Sequence, residues 1–140
     1  MTALVLDAST AVSWCFEETQ TPYAIGVLDA ISQGLEVHVP HIWPLEVTNA
    51  LVTAFRRKHI TRDELFDYAT QIATLRPSVD LSQPAERAFG HVLALAVRRQ
   101  LTTYDAAYLE LAQRRGLPLA TSDANLVQAA GAVRVEIFEP

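Results

Sequence analysis

Four carboxylates in this chain stand where chemistry would need them: Asp7, Glu46, Asp105 and Asp123. Asp7 closes the apolar run Ala3-Leu4-Val5-Leu6, which reads as a buried strand. Its carboxylate must therefore emerge at the strand's carboxyl end, where open α/β sheets place their ligands. Glu46 and Asp105 fall in the first turns of two expected helices, and Asp123 follows the apolar run Leu117–Ala120. Each has a bland explanation. An acid in a first helical turn complements the dipole by about 0.3–1 kcal/mol, and an aspartate N-cap is worth about 1 kcal/mol over alanine. Convergence of all four on one rim is harder to explain locally. Two carboxylates about 5 Å apart repel by roughly 1 kcal/mol in water and about 3 kcal/mol when partly buried, so several such pairs call for a cation. Oxygen donors without a His or Cys partner select Mg²⁺ or Mn²⁺ over zinc. A metal of that kind suits phosphate esters, because it orients a water for in-line attack and neutralises the phosphoryl oxygens.

The elements that must position these acids alternate along the chain. Ser9 to Phe16 starts like a helix capped by a hydroxyl residue. Pro22 opens a second helix ending at Gly34, and Leu35 to Val39 reads as strand two, ended by Pro40. From Pro44 a long helix runs through Leu45, Val47, Leu51 and Phe55 on its apolar side, with Arg56, Arg57 and Lys58 in its last turn. Thr61 and Glu64 form a capping-box signature. Ser78 to Leu81 is a short third strand. Ser82 to Gln100 reads as one helix with Phe89, Val92, Leu93 and Val97 inward. Thr102 or Thr103 caps the helix that runs to Gly116. Leu117 to Ala120 is strand four, Thr121-Ser122-Asp123 a turn, and a helix follows to Ala130 with Gly131 at its end. Val133, Val135, Ile137 and Phe138 make a fifth strand. Strands alternating with helices predict a three-layer α/β/α fold with a mostly parallel five-stranded sheet, in a single domain over 1–140.

Composition narrows the class without choosing the function. The 140 residues are half hydrophobic and can bury a real core. A formal charge of −5, from 11 Lys plus Arg against 16 Asp plus Glu, argues mildly against a protein that simply wraps nucleic acid. It leaves room for a site where clustered acids meet a cation. Charges interrupt every apolar run before it reaches a membrane span, and Asp7 cuts short anything like a signal peptide. The single cysteine, Cys15, points to a cytoplasmic protein without a disulfide framework.

The phrases Leu-Asp-Ala-Ser (6–9), Pro-Leu-Glu-Val-Thr-Asn-Ala-Leu (44–51), Leu-Thr-Thr-Tyr-Asp-Ala-Ala-Tyr-Leu-Glu-Leu-Ala (101–112) and Leu-Ala-Thr-Ser-Asp (119–123) resemble those of the PIN-domain nucleases. More narrowly, the chain is similar to the VapC-type toxins of toxin–antitoxin pairs. Order and spacing match from Val5 to near the C-terminus. The resemblance implies Mg²⁺- or Mn²⁺-dependent cleavage of RNA, a homodimer, and a VapB-like antitoxin as partner. Residue by residue, Asp7 and Asp105 match the two acids nearest the metal, and Glu46 matches a third that binds it directly or through water. Asp123 matches a fourth that helps to hold a water or a second ion. Ser9, Asn49 and Thr121 would orient these groups from behind.

Other signals have ordinary readings. His38 and His41 are separated by Pro40, which prevents the helical geometry of a metal pair. Cys15, between Trp14 and Phe16, is expected in a core or interface, and Trp43 and Phe55 in the core. Arg56, Arg57, Lys58, Arg98, Arg99, Arg114 and Arg115 lie near helix C-termini, where they complement dipoles and some would grip RNA phosphates. Two other functions fit the acids. A phosphatase with an aspartyl nucleophile would want a second acid two residues after Asp7, where Ser9 stands. A non-catalytic module would use the acids only to dock a basic partner.

Overall fold

The computed structural model describes residues 2–140. Strand β1 (Ala3–Leu6) is fully buried and central. It pairs in parallel with β2 (Glu36–Pro40) on one side and with β4 (Leu119–Ala120) on the other, and β2 pairs in parallel with β3 (Ser78–Asp80). The sheet order is β3-β2-β1-β4. A parallel sheet of this kind needs both faces covered, and the helices cover them. They are α1 (Ala8–Ser13), α2 (Pro22–Ser32), α3 (Trp43–Arg56), α4 (Arg62–Ala73), α5 (Pro84–Arg87), α6 (Leu93–Arg99), α7 (Thr103–Arg115) and α8 (Ala124–Ala132). Leu4, Val5 and Leu6 are wholly inaccessible, and the core around them takes in Val27, Val39, Leu51, Leu109 and Leu126. Full burial of one such side chain is worth about 1.5–3 kcal/mol.

The register fixes the level of the site. Leu6 pairs with Ala120, so the next residues, Asp7 and Thr121, leave the sheet side by side. The chain goes from β1 to one neighbour and later returns to the other, which makes the gap between β1 and β4 the topological switch point where α/β ligands bind.

Several sequence expectations need correction. The fifth strand is reduced to one parallel bridge, Leu119 to Ile137, flanked by the bonds Leu119 N–H to Glu136 O and Phe138 N–H to Leu119 O, both 2.9 Å. β4 offers only two residues to pair with, and Arg134 takes a left-handed conformation (φ +61°) that interrupts an extended run. Helix α1 is capped not by Ser9 but by Asp7. The stretch 82–100 is not one regular helix: a π-helical segment (Ala88–Val92) lies between α5 and α6. Within that segment the backbone kinks at Gly90, which leaves the helical region (φ −108°, ψ −106°), so the inward face shifts. Val92, Leu95 and Ala96 are buried, whereas Phe89, Leu93 and Val97 are 84%, 45% and 74% exposed. Leu45 and Phe55 also face outward, although Val47 and Leu51 on the same helix are buried. Trp43 is buried, and Trp14 and Phe16 are half-buried. Thr102 is the cap of α7, and Thr61 with Glu64 forms the complete capping box at α4. Among the described residues no helix is long and apolar enough to cross a membrane.

Candidate functional site

Asp7 is buried, and its position is held from three directions. Its Oδ2 accepts hydrogen bonds from the Ser9 hydroxyl and the Thr121 hydroxyl, each at 2.7 Å, and its backbone N–H donates to Ala120 O at 3.0 Å. Thr121 in turn accepts from the N–H of Asp123 at 3.1 Å, which ties the turn after β4 to the same carboxylate. The two hydroxyl residues singled out beside Asp7 and Asp123 thus both bond Asp7. Asp123 caps α8 by accepting from Leu126 N–H at 3.0 Å, so its bland reading holds whatever else it does.

Glu46 sits in the first turn of α3, and its N–H donates to Ile42 O at 3.0 Å. Its Oε1 accepts a 2.7 Å hydrogen bond from the hydroxyl of Tyr108, a residue with no exposed surface. Tyr108 is the site residue that sequence reasoning misses, since a tyrosine among the apolar residues of α7 reads as packing. The signal lay in its position one turn after Asp105 on α7, where i and i+3 side chains share a face. Asn49, expected to orient the Glu46 region, is exposed, and the hydroxyl found on Glu46 is that of Tyr108.

Asp105 is half-buried in the first turn of α7, whose N-cap Thr102 accepts from Asp105 N–H at 3.1 Å. Burial is the main cause that pushes its carboxyl up to about 6, and the negative charges of Asp7, Asp123 and Glu46 add to it. Glu46 is raised for the same two reasons, burial first and then the charge of Asp7, against the lowering effect of the Tyr108 hydroxyl. The four acids separated by up to 116 positions in the chain therefore share one electric field. None of them takes part in an ion pair among the described residues.

Among the described residues, no three His, Cys, Asp or Glu side chains stand in a geometry that would hold a metal ion as they are. Asp7, Glu46 and Asp123 each spend an oxygen on a hydroxyl or backbone partner, and repulsion keeps like charges apart. The donor set itself, all oxygen and short of positive charge, fits a hard divalent cation. His38 stands 3.4 Å from Glu36, away from this rim. Burial pushes the Cys15 thiol up to about 11, as suits an inert half-buried cysteine. Arg114 is more than a dipole complement: it pairs with Asp80 and Glu110, and Arg87 joins Glu110 at 3.3 Å.

Residues 4–132 match the model of the PIN domain. The chain belongs to the PIN-domain family. This PIN domain is 30% identical over 125 residues to Ribonuclease VapC3 of Pyrobaculum aerophilum, which spans 89% of this chain and 92% of that protein. The crystal structure of PAE2754 from Pyrobaculum aerophilum superposes with a TM-score of 0.69 at 24% identity, covering 91% of this chain and 86% of that one. The crystal structure of FitAcB from Neisseria gonorrhoeae gives a TM-score of 0.68 at 16% identity, covering 98% and 97%. At such identities these two structures speak for the PIN fold alone.

Proposed function

We propose that this PIN domain is a divalent-metal-dependent endoribonuclease of the VapC type, the toxic half of a toxin–antitoxin module. The observation that carries the reading is geometric: Asp7 and Thr121 leave β1 and β4 side by side at the switch point, and Thr121 bonds both the Asp7 carboxylate and the N–H of Asp123. No basic side chain is paired to Asp7, Glu46, Asp105 or Asp123 among the described residues. The similarity to Ribonuclease VapC3 supports RNA as the substrate. The raised values at Asp105 and Glu46 speak against the acids serving only to dock a basic protein, since docking does not require carboxylates withdrawn from solvent.

Asp7, Asp105, Glu46 and Asp123 would hold Mg²⁺, or Mn²⁺ in its place, and the ion would supply charge neutralisation at the phosphoryl oxygens and an activated water. The chain's own contribution is placement. Ser9 and Thr121 fix the orientation of Asp7, and Tyr108 holds one oxygen of Glu46 and leaves the other without a hydrogen bond among the described residues. Asp123 is likewise held at one oxygen, by the Leu126 N–H at the start of α8. The products would carry 5′-phosphate and 3′-hydroxyl ends.

The test is Asp7→Asn with wild-type chain as control, on single-stranded RNA with Mn²⁺ or Mg²⁺. The substitution keeps the size of the side chain, so circular dichroism should be unchanged while cleavage falls by more than a hundredfold. Full activity in the variant would refute the assignment, and a trapped phospho-aspartate would favour the phosphatase reading instead. A second copy of the chain and a VapB-like antitoxin are the proposed protein partners. The outward stripe Phe89, Leu93 and Val97 on the π segment and α6 supports an apolar contact between copies.

A further inference from the structure

Next to the acids, but lined by other residues, lies a cavity of about 160 Å³. Pro40 and Ile42 wall it from the end of β2, Ala88 and Val92 from the π segment, and Tyr104 and Ala107 from α7. Two of these walls run straight into the acids. Ile42 O holds the N–H of Glu46 at 3.0 Å, and Tyr104 precedes Asp105, so their Cα atoms are about 3.8 Å apart.

The walls determine what would enter. The volume lies well below the roughly 300–1,000 Å³ of sites for drug-sized molecules, so it suits one flat ring rather than a whole nucleotide. The charged part of the lining is Asp80, Glu110 and Arg87, with no surplus of positive charge for a phosphate. Arg87 already donates to Ser82 O at 2.7 Å and to Glu110 at 3.3 Å. Glu110 and Asp80 are both held by Arg114. An anion would find these groups committed, whereas a neutral ring would meet mostly apolar surface. At the mouth Tyr104 is 57% exposed, an aromatic face with nothing stacked on it among the described residues.

We propose that this cavity receives one base of a single-stranded RNA, stacked on Tyr104, beside the phosphate that lies at the acids. The assignment rests on the ribonuclease reading and adds to it a determinant of where the strand is cut. Aromatic side chains commonly serve as platforms for unpaired bases.

The experiment measures binding in EDTA, so that no cleavage intervenes. The full chain is titrated against fluorescein-labelled hexamers of rA, rC, rG and rU, and against a hexamer of abasic ribose phosphates carrying the same charge. In wild type the best homopolymer should bind about tenfold more tightly than the abasic strand, the size of one base–aromatic stack. Tyr104→Ala and Ala107→Leu, which remove the platform and fill the cavity, should abolish that difference and leave abasic binding unchanged. Tyr104→Phe should keep it. With Mn²⁺, Tyr104→Ala should still cut a mixed-sequence RNA but with flattened base preference. Unchanged homopolymer affinity in both disruptive variants would overturn the proposal and leave the cavity to a protein side chain. Base-dependent binding in EDTA without cleavage in Mn²⁺ would uphold the pocket while refuting the nuclease reading, and absence of both would refute the two together.

Discussion

Asp105→Asn should make the metal-free protein more stable while abolishing its cleavage. The carboxyl at 105 is pushed from its ordinary 3.8 up to about 6 by burial and by three neighbouring negative charges. Ionising it in the folded chain therefore costs more than in the unfolded chain. Taken at face value, the difference of about 2 pH units corresponds to about 3 kcal/mol. The group is only partly buried, and solvent screens the repulsion, so about 1–2 kcal/mol is a better figure. Loss of a favourable charge from the first turn of α7 takes back about 0.3–1 kcal/mol. The net gain at pH 7.5 is about 1 kcal/mol, a rise of about 3–5 °C in Tm for a chain of this length.

The sign with pH follows from the raised value. Well below pH 3.8 the group is protonated in both states, and wild type keeps the stability that the neutral form provides. As pH rises from about 4 to about 6 the folded form holds more protons than the unfolded form, and wild-type stability falls. The asparagine variant lacks that fall. Thermal melts of both proteins in EDTA at about pH 3 and at pH 7.5 should thus show equality at the lower pH and a more stable variant at the higher. With 10 mM Mn²⁺ the order should reverse, because wild type gains binding free energy that the variant cannot. A variant less stable than wild type at pH 7.5 in EDTA would refute the reasoning about the shared field.

Tyr108→Phe removes the donor from Glu46 with little change of shape, and should weaken Mn²⁺ binding severalfold in calorimetry at a stability cost of about 1–2 kcal/mol. An unaltered Mn²⁺ affinity would make the hydrogen bond incidental. Arg114→Ala leaves Glu110 and Asp80 without their main partner and should cost about 3–5 kcal/mol in urea denaturation; a cost under 1 kcal/mol would mean the cluster is solvated. Val97→Glu puts a charge into the exposed apolar stripe and should shift the chain from dimer to monomer in light scattering, with its melting temperature nearly unchanged. If wild type is already a monomer, the proposed contact between copies is wrong.

The places of Asp7 and Asp123 were legible in the sequence because a charge after an apolar run has to surface where the strand ends, and a parallel sheet puts those ends on one edge. Ser9 and Thr121 were legible for the same reason, being the hydroxyls nearest to such ends. Tyr108 was not, because a tyrosine in an apolar helix face satisfies the packing pattern whether or not its hydroxyl has a task. The stretch 82–100 misled for a different reason. It carries two apolar stripes, Val92-Leu95-Ala96 and Phe89-Leu93-Val97, and the choice between them depends on the kink at Gly90, which leaves no periodic trace. Arg114 read as a helix-end cation since its partners Asp80 and Glu110 come from a distant strand and from one turn earlier on α7. The last strand dwindled to a bridge because the partner it needed is two residues long.

The place of β1 in the middle of the sheet bears on when, during synthesis, the acids can be brought together. Asp7 leaves the ribosome long before two of its partners, Thr121 for its Oδ2 and Ala120 for its amide. Until position 121 has been added, only Ser9 can hold that carboxylate, and Asp123 does not yet exist. The rim of the sheet is thus completed by a segment made more than a hundred residues after the strand it closes on.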